Sequence, residues 1–223
     1  MGRAGRGRRR RGLRAPDPRV PRPEDGRPGR EPARRGRSRP LPAPRRGGRV
    51  LDAGCGTGRV ALRLAELGVP VVGVDADLSM LRVAAEHDPR IPFWLTDLAD
   101  LDLPQGIVGA GFDVVLMAGN VVPLLAPGTL EQVVRHLAGV LKPDGVLVAG
   151  FGLDRDHLPG AFEPTSLADY DHACEAAGLV PVERYATWQR DAFTGEGYAV
   201  SLHRHAPAPA PGVTSRLRGL LRR

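Results

Sequence analysis

Along the chain the spacing of apolar positions changes in a regular way. Residues 49–52 and 70–75 are short apolar runs bounded by glycine or proline, the pattern of buried strands. Between them Val60, Leu64 and Leu67 recur at helical spacing across 57–67, and Gly68 is the stop. A second helix follows, capped by Asp77 and carrying Leu78, Leu81 and Ala85 on its inner face. Residues 93–96 read as a short third strand and 112–118 as a fourth. Thr129-x-x-Gln132 is a capping box opening a helix with Leu130, Val133, Val134, Leu137 and Leu141 on one face. Lys142-Pro-Asp-Gly145 is a turn into a fifth strand, 146–150. Ser166 opens another helix, with Leu167, Tyr170, Cys174 and Ala177 inward and Gly178 as its stop. Two late strands lie around 182–189 and 197–203. Strands alternating with helices predict an α/β domain.

The ends of the chain have a different texture. Residues 1–46 are arginine, glycine, proline and alanine with hardly any aliphatic or aromatic side chains. Such a segment buries too little apolar area to offset its ordering entropy, so it is expected to be disordered and dispensable for ligand binding. Residues 206–223 form an Ala-Pro and basic tail whose Leu217, Leu220 and Leu221 are too short a stretch to anchor a membrane. Residues 47–205 remain as the folded domain.

Charge follows the same division. The overall +7 hides +14 in residues 1–50, where 18 arginines face four acids. In residues 51–205, 21 acids outnumber ten basic groups, a net charge of −11. An acidic domain disfavours a nucleic-acid surface, and the arginine arm lacks the interleaved aromatics of single-strand binders. No run approaches the ~20 apolar residues of a membrane helix, and the N-terminus lacks the apolar stretch of a secretory signal. Two cysteines, Cys55 and Cys174, make neither a disulfide framework nor a paired zinc motif. A reducing cytoplasm is therefore the expected compartment.

The chemistry concentrates early. Leu51-Asp-Ala-Gly-Cys-Gly-Thr-Gly58 joins the first strand to the first helix. Glycines there let a ligand approach the backbone, and the helix start offers unpaired N–H groups. Alone, such a loop is equally an ordinary tight turn. Asp75 adds to it, ending the next strand 21 residues after Gly54. An acid at that point can accept from both ribose hydroxyls of an adenosine; the competing role of helix cap falls better to Asp77. The glycine spacing separates two cofactors. Dinucleotide binding uses Gly-x-Gly-x-x-Gly around a pyrophosphate, whereas Gly54, Gly56 and Gly58 are evenly spaced. S-adenosylmethionine (SAM) has an amino-acid tail instead of phosphate, and Asp52 is placed to accept from its ammonium group.

These segments resemble, in order, the motifs of class I SAM-dependent methyltransferases. Residues 51–58 resemble the first motif, and 73–80 the acidic loop after it. Thr96-Asp97-Leu98 is similar to the adenine-contacting loop, 112–120 to the fourth motif, and 141–147 to the segment before the fifth strand. The resemblance spans about residues 48–205. It implies a Rossmann-like three-layer sandwich with a seven-stranded, mostly parallel sheet and one antiparallel strand. It also implies roles by position. Gly54, Cys55 and Gly56 would approach the methionine part of SAM, near Asp52. Asp75 would hold the ribose and Ala76 line the adenine. Asp97 and the Leu98 N–H would meet the adenine edge, and Ala118, Gly119 and Asn120 would flank the methyl group. Asn120-Val-Val-Pro123 departs from the Asp/Asn-Pro-Pro-aromatic signature of nucleobase and glutamine methylases, which disfavours that subclass.

Methyl transfer from a sulfonium mainly requires alignment and exclusion of water. A general base is needed only when the nucleophile must lose a proton. Candidates after the fifth strand are Asp154, Asp156 and His157, each equally readable as a loop residue. His136, His203 and His205 read as structural or solvated, and Trp188 and Phe193 as core residues or the lining of an acceptor pocket. The reading is a methyltransferase acting on a small molecule. A SAM-binding domain without catalysis, or a nucleic-acid methylase using the arginine arm, remain its alternatives.

Overall fold

The computed structural model describes residues 47–160 and 162–207. The expectations for residues 1–46 and for the tail beyond residue 207 lie outside the described residues.

Seven strands form one sheet: β1 (Val50–Ala53), β2 (Val71–Asp75), β3 (Phe93–Leu95), β4 (Phe112–Met117), β5 (Leu141–Gly152), β6 (Leu179–Tyr185) and β7 (Tyr198–His205). Their order across the sheet is β3-β2-β1-β4-β5-β7-β6. Neighbours are parallel except at β7, which runs antiparallel to both β5 and β6. The expected seven-stranded sheet with one antiparallel strand is therefore present. The helices are α1 (Arg59–Glu66), α2 (Leu78–His87), α3 (Gln105–Val108), α4 (Val121–Leu124), α5 (Leu130–Val140) and α6 (Leu167–Ala176).

Strand alternation divides the core into two layers. Leu51, Ala53, Val72, Val74, Val115, Met117, Leu147, Ala149 and Phe151 face one side, packed with Val133, Val134 and Leu137 of α5 and Tyr170, Ala173 and Cys174 of α6. Val50, Val71, Val114 and Leu116 face the other, against Ala61, Leu62 and Leu64 of α1. Val148, Val200 and Leu202 continue that second face and are covered by Trp188 and Tyr185.

Four local expectations need correction. In α2 the buried positions are Leu81 and Ala84, while Leu78 is 47% exposed and Ala85 also faces solvent. The helix sits at the sheet edge and buries only a narrow stripe. Its contact is selected by Gly58, where a Cβ would stand 2.9 Å from the Ala84 methyl. The capping box does not form. Thr129 has helical dihedrals (φ −96°, ψ −6°), because its N–H and Oγ1 both donate to Ala126 O in a turn. Gln132 donates to Ala99 O instead of reaching back to the cap. Residues 142–145 do not precede β5 but bulge within it. Leu141 pairs with Phe112, and the register shifts before Val146 pairs with Val114. The sixth strand starts three residues earlier than the pattern placed it and ends at Tyr185. The short helices α3 and α4 have too few residues to show a period and were not expected.

Candidate active site

The glycine turn between β1 and α1 is shaped by packing on both sides. Gly54, Gly56 and Gly58 all have positive φ, of 74°, 54° and 78°. A Cβ at Gly54 would collide with the Val121 methyls at 2.7 and 2.8 Å, whereas one at Gly56 would meet only open space. The N–H groups of Gly54 and Cys55 both donate to Val74 O, tying the turn to the end of β2. The half-buried Cys55 thiol lies beside Gly73, and burial with the nearby Asp52 and Asp75 charges pushes its pKa far up. Burial thus leaves the Cys55 side chain an inert thiol.

Asp75, at the last position of β2, crosses to that turn. Its Oδ2 accepts from Gly56 N at 2.7 Å and its Oδ1 from Asp77 N at 2.9 Å. Asp77 itself caps α2, accepting from Ser79 N at 2.7 Å and Met80 N at 3.3 Å. The helix cap thus falls to Asp77, as its position predicted. Asp97 starts a single turn over 98–100, accepting from Ala99 N at 2.8 Å. Thr96 N donates to Asp75 O, which ties this loop to the end of β2.

A cavity of about 220 Å3 lies among these groups, lined by Gly54, Asp75, Ala76, Asp97, Leu98, Val121, Leu124, Leu125 and Ala126. This is below the roughly 300–1,000 Å3 of whole-ligand pockets, so it suits one part of a ligand. It brings together five of the residues singled out in the sequence. Asp52, Cys55, Gly56, Ala118, Gly119 and Asn120 lie outside its lining. The apolar wall from α4 and the segment after it was missed; the signal was the run Val121-Val-Pro-Leu-Leu125 directly after β4. A hollow of about 870 Å3 lies at the other end of β5, beside Pro143, Asp144 and Arg204. Size therefore does not choose the site. Ligands of open α/β sheets bind at the carboxyl ends of the strands, and there the smaller cavity lies.

Asp52 is 1% exposed, with Oδ2 accepting from Ala61 N at 3.0 Å. Burial raises its pKa to about 7, against the lowering effects of the Ala61 hydrogen bond and the Arg59 charge. A buried carboxylate in this state is improved by a cation. That chemistry, with the strand-end cavity, is compatible with an adenosine carrying a cationic amino-acid tail.

Asn120 has a left-handed backbone (φ 67°) after Gly119 at 81°. Its side chain bridges the ends of β4 and β5: Oδ1 accepts from Gly152 N at 2.7 Å, and Nδ2 donates to His157 O at 3.0 Å. In the turn after β5, His157 Nδ1 lies 2.6 Å from Asp154 Oδ1. The Asp156 carboxylate has no hydrogen-bond partner among the described residues. Trp188 packs over Gly150 and its Nε1 donates to Tyr198 OH at 3.3 Å, so it serves the core. The Phe193 ring lies under the Arg184 guanidinium. His203 is 1% exposed beneath α6, with Nε2 3.3 Å from Asp171 Oδ1 but not aligned for a hydrogen bond. His136 Nδ1 lies 3.3 Å from Leu98 O, and His205 is half-buried at the end of β7.

Known proteins share this arrangement. The Methyltransferase domain family matches residues 50–145. A TehB-like SAM-dependent methyltransferase from Corynebacterium glutamicum superposes with a TM-score of 0.64 and 30% identity, covering 74% of this chain and 83% of that one. Glycine N-methyltransferase of Oryctolagus cuniculus is 34% identical over 116 residues, 45% of this chain and 39% of that protein. The chain thus spans about two-fifths of the length of that relative. The 27-O-demethylrifamycin SV methyltransferase of Amycolatopsis mediterranei is 29% identical over 198 residues, 76% of this chain and 70% of the relative. With the strand order, the glycine turn and the strand-end acid in place, the chain belongs to the class I SAM-dependent methyltransferases, whose methyl donor is S-adenosylmethionine.

Proposed function

We propose that the protein is an enzyme that transfers the methyl group of SAM to a small-molecule acceptor. The observation that carries the reading is the Asp75 carboxylate, held at 2.7 Å by Gly56 N across 19 residues of chain, at the mouth of the strand-end cavity. Bound there, SAM supplies an electrophilic methyl on a sulfonium that is already a good leaving group. The protein's part is binding and alignment.

In this reading Asp75 keeps a free lone pair on each oxygen for the two ribose hydroxyls. Ala76, Leu124 and Leu125 sandwich the adenine, and Asp97 and the Leu98 N–H hold its edge. Gly54, Cys55 and Gly56 give backbone room for the methionine part, and Asp52 neutralises its ammonium, directly or through water. Ala118, Gly119 and Asn120, at the end of β4, flank the methyl. The Asn120 bridge to Gly152 and His157 keeps that end rigid. Relatives named for glycine and a rifamycin as substrates support a small acceptor. The acidic charge of residues 51–205 speaks against nucleic acid. Residues 47–205 form the catalytic domain, and the free thiols of Cys55 and Cys174 suit the cytoplasm. Among the described residues no helix is long and apolar enough to cross a membrane.

The test is release of S-adenosylhomocysteine from SAM against a panel of acceptor metabolites. Turnover with at least one small molecule is the expected result. Tight SAM binding with no turnover across hydroxyl, amine and thiol acceptors would instead indicate a SAM-binding protein without catalysis.

A further inference from the structure

We infer that Asp154 and His157 form a general-base dyad and that the acceptor group is a hydroxyl. The inference rests on the methyltransferase reading above and adds the residue that removes the acceptor's proton.

The turn carrying the pair is fixed where β4 and β5 end. Asn120 Nδ2 donates to His157 O at 3.0 Å while its Oδ1 holds Gly152 N. A Cβ at Gly152 would stand 2.6 Å from His157 O, so only glycine lets the turn fold back this closely. Leu153 N donates to Gly197 O at 2.8 Å, closing the other side. The His157 backbone is thus pinned to Asn120, which flanks the methyl in the proposed binding mode.

Within the turn, Asp154 Oδ1 accepts from His157 N at 3.1 Å and faces Nδ1 at 2.6 Å. The imidazole beside it holds the Asp154 carboxyl below the usual carboxylate range. A carboxylate on Nδ1 fixes the proton there and leaves the Nε2 lone pair as the base. Nε2 has no hydrogen-bond partner among the described residues. The ring edge passes Gly197, with Cε1 and Nε2 3.2 and 3.4 Å from where a Cβ would stand. Both side chains of the pair are about half exposed, open to a ligand. No other described histidine combines these features. His203 is buried, His136 faces a carbonyl, and His172 lies 3.9 Å from Glu131.

A neutral amine attacks a methyl before it loses any proton, so it does not need a held base. A hydroxyl does. Its oxygen bonds to the methyl carbon as its proton passes to His157 Nε2, and the electron pair of the broken carbon–sulfur bond stays on sulfur. Asp154 stabilises the imidazolium until the proton leaves to solvent. The products are a methyl ether and S-adenosylhomocysteine. Asp154 is a positioning residue here, and His157 the catalytic one.

Two measurements on the full-length protein decide the matter. The first is ¹⁵N NMR of the imidazoles with S-adenosylhomocysteine bound. The neutral His157 ring should carry its proton on Nδ1, and Asp154→Asn should lose that preference. The second is S-adenosylhomocysteine release with a panel of phenols, aliphatic alcohols and primary amines. The accepted compound should be a hydroxyl. His157→Gln should lower kcat at least about 100-fold, with SAM affinity and KM within twofold. A neutral ring protonated on Nε2, or turnover of an amine unaffected by His157→Gln, would overturn the dyad. Failure of the wild-type protein to bind SAM would overturn the methyltransferase reading itself.

Discussion

In the proposed binding mode Asp52 makes cofactor binding depend on pH. Its pKa is about 7 in the folded protein against an ordinary 3.8, chiefly because burial penalises the charge. The folded state therefore holds a proton that the unfolded chain has released. The Asp52 contribution to stability is fully present below pH 4 and is lost as pH rises to 7. At ~1.4 kcal/mol per pH unit the decline is on the order of a few kcal/mol. Asp52→Asn keeps an acceptor for Ala61 N without the charge. Calorimetric melting should find the variant more stable than wild type at pH 8 and equal to it near pH 4. SAM affinity should behave in the opposite sense, rising in the wild type as pH passes 7, because the ammonium favours the ionised carboxylate. Asp77, two residues beyond Asp75, is a structural acid. As the cap of α2 it accepts two backbone N–H groups, so Asp77→Ala should cost about 1 kcal/mol of stability and change SAM affinity by less than threefold.

At the scale of elements, the β1–α1 turn joins packing to binding. Gly58 has φ of 78°, and a Cβ there would meet Ala84 at 2.9 Å and the Phe93 ring at 3.2 Å. Gly68, after α1, has nearly the same φ of 74° but open surroundings. Both positions resist alanine through backbone strain of about 1 kcal/mol. Gly58→Ala should cost roughly 1–3 kcal/mol more, from the overpacking. Urea titration of the two variants measures the difference directly. The elements that the sequence made legible were those with several turns or strong punctuation. β1, β2, β4, α5 and α6 stand within a residue or two of their expected bounds. What was hidden depended on tertiary neighbours. Thr129 and Gln132 match a capping box letter by letter, yet the Ala126 turn and the Ala99 carbonyl take their bonds. Leu78 looks like a core residue, but α2 lies at the sheet edge and the described residues leave its first turn exposed. The four residues of α4 gave no period, so the apolar wall of the cavity stayed out of sight although its letters were apolar.

Across the whole molecule, the acidic domain and the basic ends are separable in sequence, and residues 1–46 carry hardly any aliphatic or aromatic side chains. A chain of residues 47–207 should therefore bind SAM with an affinity within about threefold of the full chain, by calorimetry of both. A much weaker but folded short form would give the arginine arm a part in the site. The mostly parallel sheet was foreseeable because strands alternate with helices and the motifs along the chain resemble those of one family. The partners of each site residue were not, since Asn120's bridge to His157 spans 37 residues. The most direct test of the account is calorimetric titration of SAM into wild type and Asp75→Ala. In the proposed binding mode that substitution removes the acceptor of the ribose hydroxyls, a loss of about 1.5–3 kcal/mol. The bonds to Gly56 N and Asp77 N go with it, so the apo variant should also melt slightly earlier. One SAM should bind per wild-type chain, with an affinity tenfold to hundredfold lower in the variant. Equal affinity in both proteins, with the variant folded, would contradict it.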